Sequence, residues 1–222
     1  METKVDIGFE SFSKIPRLRR DCIVTEKIDG TNGQILITDD CQLYVGSRNL
    51  WISTPENRFA TDPFGFAKWA EANRDALIAE LGIGRHYGEW WGSGIQRGYG
   101  LKNGEKRFSL FNTSRWNASN LTVCSVVPVL YEGAFDLDMV TRCLADWKMI
   151  GSVASPGFMR PEGVVVFHKA ANCMFKQTIE KDDEPKGRPT PEAPPMPDEG
   201  KYVDDPDRCR RTKHVDGKSH GW

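Results

Sequence analysis

An α+β fold dominated by antiparallel strands follows from three features of the sequence. Short β-favouring runs bounded by turn residues recur at 22–28, 35–38, 43–48, 85–91, 108–111, 123–130, 162–168 and 172–179. Only two stretches carry helical periodicity, so strands and helices do not alternate as they would around a parallel sheet. Past Lys181 the composition changes: prolines recur from 185 to 197, and residues 201–222 are polar and charged. Residues 1–181 are therefore expected to form one folded domain of antiparallel sheets flanked by helices. Residues 182–222 are expected to form a Pro-rich, charged, disordered tail, which lacks the apolar surface needed to order itself.

Each element has its own signal. Residues 9–20 mix apolar side chains with the basic cluster Lys14, Arg17, Arg19 and Arg20, a solvated face or a nucleic-acid contact. The first two strands flank the turn residues 29–33 and read as a hairpin with Lys27 near its bend. Asp39 and Asp40 turn the chain into a third strand. Thr61 or Asp62 then caps a helix with Pro63 in its first turn. Its apolar face holds Phe66, Trp69, Ala70, Leu77, Ile78 and Leu81, and Gly82 ends it. The strand at 85–91 runs into a Gly-rich loop over 92–100. Pro128 assigns the 123–130 run to a sheet edge. Asp136 or Asp138 opens a second helix with the stripe Met139, Val140, Cys143, Leu144 and Trp147, closed by Gly151. Residues 162–168 and 172–179 form a last hairpin.

Composition narrows the functional classes. The chain has 30 Lys and Arg against 31 Asp and Glu, a net charge of −1, so any nucleic-acid surface has to be a local patch. No apolar run reaches membrane-spanning length, and the first residues are not a signal peptide. The six cysteines include no C-x-x-C pair. Several lie in apolar runs, which reads as buried, reduced thiols in a cytoplasmic protein. The four histidines lack zinc-ligand spacing, and no internal repeat is found.

The chemistry gathers around Lys27, which has Glu26 before it, Asp29 beyond it and Gly30 three residues on. Most turn lysines are surface charges. A lysine beside other cationic groups, or partly desolvated, is instead neutral near pH 7 and attacks electrophiles. Gly30 and Gly33 would let the backbone approach a nucleotide. Arg48 is a forked donor suited to phosphate or ribose oxygens. Glu89 is hemmed in by aromatics and glycines, and Phe111 with Phe108 offers a face for a base. Glu162 heads the apolar run Val164–Val165–Val166, where a carboxylate needs a cleft and a cation. Lys176 lies in the partner strand. Taken singly, each reads first as a surface charge or a core aromatic.

Taken in order, these motifs resemble those of the covalent nucleotidyltransferase superfamily of polynucleotide ligases and RNA-capping enzymes. Within it they are most similar to the phage-type RNA ligases that seal nicks in double-stranded RNA. The likeness runs from about 21 to 179. It rests on Glu26-Lys27-Ile28-Asp29-Gly30-Thr31-Asn32, Arg48, Tyr87-Gly88-Glu89 with Gly94–Arg97 behind it, Leu110-Phe111-Asn112, Glu162-Gly163-Val164-Val165 and Met174-Phe175-Lys176. Asn112 stands where the family usually has Asp. Thr178 stands where a second lysine is usual, leaving Lys169 or Lys181 as substitutes.

The resemblance implies an adenylation domain of the ligase type, here without a recognisable C-terminal OB-fold. It implies ATP and Mg2+ or Mn2+ as cofactors, and broken or nicked RNA as the partner, with DNA also open. Lys27 would form a lysyl–AMP adduct, with Lys176 and the metal neutralising the α-phosphate. Glu162 would stand on the metal side. Glu89 and Arg48 would hold the ribose and its surroundings, with Phe111 stacking on adenine and Glu26 accepting from its amino group; Asp29 and Asn32 complete the nucleotide set. The expected state is a monomer with no membrane association. The alternatives are a minimal DNA ligase, a capping-type guanylyltransferase, disfavoured by Thr31-Asn32, and a catalytically dead nucleic-acid-binding module.

Overall fold

The computed structural model describes residues 8–9, 11–59 and 61–180. The expected tail at 182–222 lies outside the described residues, as does Lys181. Ten strands form two sheets. They are β1 (Asp21–Lys27), β2 (Thr31–Ile37), β3 (Leu43–Gly46), β4 (Trp51–Ser53), β5 (Gly84–Gly92), β6 (Lys106–Leu110), β7 (Ser125–Val126), β8 (Val129–Ala134), β9 (Gly163–His168) and β10 (Cys173–Thr178). The helices are α1 (Phe66–Ala72), α2 (Arg74–Leu81) and α3 (Leu137–Ile150). The first sheet has the order β10-β9-β1-β8, and the second β4-β3-β2-β5-β6-β7. All pairings are antiparallel except the short β6–β7 contact. The expected α+β class is the one found.

Alternation decides what each sheet buries. In the second sheet Ile35, Ile37, Leu43, Val45, Trp90, Phe108 and Leu110 turn one way. They pack on Phe66, Ala67, Ala70, Leu77 and Leu81 of α1 and α2. In the first sheet Cys22, Val24, Val164 and Val166 pack on Met139 and Val140 of α3. The opposite face of the second sheet carries Gln34, Tyr44, Arg85, Tyr87 and Glu89, and that of the first carries Thr25 and Lys27 among the apolar Ile23, Val165 and Phe167. A third cluster, Ile28, Trp91, Tyr99 and Val127, comes from the segments that join the sheets.

Three expectations change in three dimensions, and one strand was not expected. Strands β1 and β2 are not a hairpin, because β1 pairs with β8 and β9 while β2 pairs with β3 and β5. Residues 28–30 are a crossover between sheets, and the buried Ile28 side chain anchors it. The run at 123–130 is likewise split. Pro128 has no amide to continue a ladder, so β7 ends in the second sheet and β8 begins in the first. The expected single helix is two, broken at Asn73, whose side-chain amide donates to the Trp69 carbonyl at 2.8 Å. Strand β4 carried no alternation long enough to be read. The 136–151 helix is as expected: Asp136 accepts from the Asp138 amide at 2.9 Å, and Gly151 closes it at φ +86°. The five described cysteines are free thiols, with Cys22 and Cys124 buried but Cys41 and Cys173 exposed. Cys209 is outside the described residues.

One carboxylate ties α2 to the loop that feeds β7. Glu80 accepts from the amides of Thr122 (2.5 Å), Val123 (3.0 Å) and Cys124 (2.9 Å) and from the Thr122 hydroxyl (2.8 Å). Burial alone would raise its pKa, but these donors hold it below the usual carboxylate value. The ionised form is thus favoured by folding, a contribution present above the unfolded pKa and lost as pH falls through the folded one. Glu80→Ala should cost about 2 kcal/mol at pH 7, with the difference shrinking toward pH 3. Denaturant titrations at both pH values measure it.

Candidate active site

Lys27 is the last residue of β1, at the point where the chain leaves the first sheet for the second. Its cross-strand neighbour is Gly163 on β9, and Gly163 in turn faces Thr178 on β10. Glu162 precedes Gly163, and its carboxylate is ion-paired with the Lys27 ammonium. Both side chains are partly sheltered, at 23% and 16% exposure. The Glu89 carboxylate belongs to the same electrostatic site, feeling Lys27, Glu162 and Asp29. It reaches the site from β5 and accepts from the Gly30 amide at 3.0 Å.

The crossover is clamped on both sides of Ile28. The Tyr99 hydroxyl accepts from the Asp29 amide at 3.1 Å and donates to the Lys27 carbonyl at 3.3 Å. The ring is buried, stacked on Phe158 at 4.6 Å and set edge-on to Trp91. Arg97 holds the Asp29 carboxylate at 3.0 Å while donating to the Arg160 carbonyl at 3.2 Å. Asp29, expected among the nucleotide ligands, is thus engaged in shaping the loop. Neither Tyr99 nor Arg97 stood out as a site residue. The available signal was an aromatic side chain between two glycines, Gly98-Tyr99-Gly100, in which Tyr99 adopts φ +49°.

Two glycines have a different purpose from the one expected. A Cβ on Gly30 would sit 2.5 Å from the Trp90 carbonyl oxygen and 2.8 Å from the Trp91 Cβ. One on Gly33 would sit 2.7 Å from the Phe66 ring and 3.0 Å from that of Phe108. Both glycines allow a close approach to β5 and to the core, and Gly33 also lines a cavity. Glu26 is likewise reassigned. Alternation turns it away from Lys27, and it is 1% exposed. It accepts from the Ser152 hydroxyl (2.6 Å) and the amides of Val153 and Ala154 (both 2.9 Å). With its oxygens so engaged, it fastens the segment after α3 to β1 rather than reading a base.

The remaining nucleotide candidates converge. Asn32, Arg48 and Phe111 line one cavity of about 150 Å³ together with Gly33, Gln34, Ser47 and Tyr87. Asn32 pairs with Glu89 across β2 and β5, so this cavity adjoins the carboxylates around Lys27. A neighbouring cavity of about 240 Å³ shares Asn32 and Ser47 with it. Lys176 is exposed and sits opposite Val165, two residues before Thr178, on the Lys27 face of the first sheet. Lys169 is no substitute for the missing second lysine. Its amide bonds to Asp21 at the far end of β1, about 20 Å from Lys27, and its ammonium pairs with Glu132.

A comparison with known families meets the same region. The RNA ligase family model matches residues 20–179, most of the chain. The chain belongs to the RNA ligase family. No protein of curated function matches it significantly. Solved structures do. A Naegleria gruberi RNA ligase variant with ATP and Mn is 20% identical, with a TM-score of 0.52 over 73% of this chain and 51% of that one. A variant of the same ligase with AMP and Mn is 17% identical, with a TM-score of 0.51 over 72% and 50%. This RNA ligase family member thus shares their nucleotidyltransferase-type fold and spans about half the length of those chains.

The least comfortable group in this ligase-type site is Glu89. Burial pushes its pKa up to about 7, against the opposing pull of Lys27 and the Gly30 amide. The folded protein therefore keeps a proton that the unfolded chain releases near 4.5. Stability from this group is present at low pH and falls as pH rises toward about 7, by about 3 kcal/mol in all. Glu89→Gln should flatten that slope and melt higher than the parent at pH 8, with a smaller gap at pH 5. Thermal melts at both pH values are the measurement.

Proposed function

We propose that the chain is an ATP-dependent RNA ligase that joins 3′-hydroxyl and 5′-phosphate ends through a lysyl–AMP intermediate on Lys27. The observation that carries this reading is a lysine at the junction of two sheets, paired with Glu162 and bordered by a cavity holding Asn32, Arg48, Tyr87 and Phe111. Nothing in the packing of the core requires that lysine. In the proposed first step the neutral Lys27 amine attacks the α-phosphorus of ATP. An N–P bond forms, the bond to the pyrophosphate oxygen breaks, and the ammonium proton is released. A 5′-phosphate oxygen of RNA then takes the AMP, restoring the lysine. Finally the 3′-hydroxyl attacks that phosphate and AMP departs.

The residues suit these tasks, which call for alignment and charge neutralisation more than for covalent chemistry. Phe111 offers a face for adenine, and Arg48 and Asn32 offer donors to the ribose and phosphate oxygens. Lys176 stands on the Lys27 face, within reach of a phosphate bound there. Among the described residues no three His, Cys, Asp or Glu side chains form a cluster fit to hold a metal by themselves. The Glu162 carboxylate, with Glu89 in the same electrostatic site, suits Mg2+ or Mn2+, which take one or two carboxylates and complete their shell with water and substrate phosphate. Glu162 is the carboxylate that would hold the ion, and when bound the ion supplies charge neutralisation at the phosphates. Nicked double-stranded RNA is the proposed form of the substrate, on the likeness of the motifs to the phage-type enzymes. The described residues include no helix long and apolar enough to cross a membrane.

Lys27→Ala should abolish transfer of labelled AMP to the protein while leaving its melting temperature within a few degrees of the parent. Glu162→Ala should also lose the adduct, Glu162→Asp should keep at most part of it, and excess chelator should abolish it in the parent. An acid-labile protein–AMP adduct on the Lys27 variant would exclude Lys27 as the nucleophile. Full adduct formation in chelator would remove the metal.

The site lies wholly before Ile179, so cutting the chain after about residue 185 should leave lysyl–AMP formation nearly intact. Residues 201–222 include Lys201, Arg208, Arg210, Arg211, Lys213 and Lys218. If they grip the duplex, truncation should flatten the salt dependence of nicked-RNA binding, because fewer counterions are released. Equal slopes for the full and truncated chains would remove the tail from the grip.

A further inference from the structure

The outward face of the second sheet does not end at the nucleotide cavity. Register places Tyr87 beside Gln34, Gln34 beside Gly46, and Gly46 beside Trp51, one row across four strands. The next row runs from Arg85 through Leu36 to Tyr44. These residues share the face that carries Glu89, since Arg85, Tyr87 and Glu89 alternate along β5 with the buried His86, Gly88 and Trp90. The result is a shelf of aromatic and guanidinium groups, continuous with the site and facing outward. Tyr87 is 55% exposed and Trp51 38% exposed.

The shelf is held in place. The Trp51 ring packs closely over Gly46, where an added Cβ would come within 2.9 Å of it. Tyr44 lies 5.6 Å from the Trp51 ring centre, and the Arg85 guanidinium lies 5.2 Å from that centre. Arg85 donates to the Gln34 side chain at 2.5 Å, and Gln34 donates to the Ser47 carbonyl at 2.9 Å. Ser47 and Gln34 also line the nucleotide cavity, so the shelf is hydrogen-bonded to its wall. Three strand spacings separate Tyr87 from Trp51, about 14 Å, which accommodates a few nucleotides.

We propose that this shelf binds unpaired nucleotides of the RNA substrate, stacking their bases on Trp51 and Tyr87 while Arg85 and Arg48 meet the phosphates. Fixed aromatic rings interleaved with arginines are the chemistry that grips single-stranded nucleic acid independently of sequence. Continuity with the cavity places those nucleotides next to the end being activated. The proposal rests on the RNA ligase reading and sharpens it: among nicked RNA duplexes, those with an unpaired flank beside the joint are preferred.

The test uses the full chain and a fluorescein-labelled ten-nucleotide oligouridylate, with a blunt RNA duplex of equal length as the control. Trp51→Ala should weaken binding of the single strand about tenfold. Arg85→Ala should weaken it less and reduce its salt dependence, and Trp51→Phe should retain most of the affinity. Binding of the blunt duplex should barely change. Thermal melts establish that each variant is folded, with Trp51→Phe as the conservative comparison. Unchanged affinity of a folded Trp51→Ala for the single strand overturns the proposal, as does an equal loss on the blunt duplex. A change in oligomeric state without a change in RNA affinity also overturns it, assigning the face to a second copy of the chain. Labelled AMP transfer to the protein is measured in parallel. Its absence from the parent with the Trp51 effect intact sinks the ligase reading but not the shelf, and the reverse result sinks only the shelf.

Discussion

The pairing of β1 with β9 is the constraint on which the site depends. It sets Lys27 opposite Gly163 and so delivers the Glu162 carboxylate to the ammonium from a position 135 residues later in the chain. A partly sheltered charge is stabilised by a counter-charge nearby. The arrangement leaves Lys27 between Glu162 from the first sheet and Glu89 from the second. A one-residue slip of β9 against β1 would exchange Val164 and Val166 for Val165 and Phe167 on the α3 side and move Glu162 away from Lys27.

Where the two sheets meet, polar contacts do what apolar packing cannot. Glu26, adjacent in sequence to Lys27 but on the opposite face, is satisfied by one hydroxyl and two amides from residues 152–154. Buried and ionisable, it is tolerable only because those donors are supplied together. Tyr99 and Arg97 act in the same way on the following residues, fixing the backbone on each side of Ile28. The strand that carries Lys27 is thus immobilised by groups on two separate segments, residues 97–99 and 152–154, while the Lys27 side chain stays accessible. Glu89 completes the pattern with the opposite compromise, a carboxylate kept at the site against the cost of its own burial.

The fold class, both helical regions and most strands were legible because they are local: alternation, periodicity and capping need only neighbours in sequence. The site was legible as a set of motifs, since Lys27, Arg48, Glu89, Phe111 and Glu162 each sit in a short, chemically odd context. The structure brings Lys27, Glu89 and Glu162 into one electrostatic site and places Asn32, Arg48 and Phe111 around the adjoining cavity. The structural partners of Glu26 and Asp29 were invisible in the sequence for one reason. A carboxylate next to a lysine looks like a ligand until its hydrogen-bond donors are known, and these came from Ser152–Ala154 and from Arg97.

By itself, the sequence determined most of the elements and the order along the chain of the residues proposed to carry the chemistry. Tertiary structure alone decided that residues 28–30 cross between sheets, that Pro128 does the same, and that Lys169 lies at the wrong end of β1. Turn residues of the same kind serve a hairpin and a crossover equally well, because the choice depends on which distant strand offers the better ladder and buried face. That competition, between β2 and β9 for the edge of β1, has no local signature.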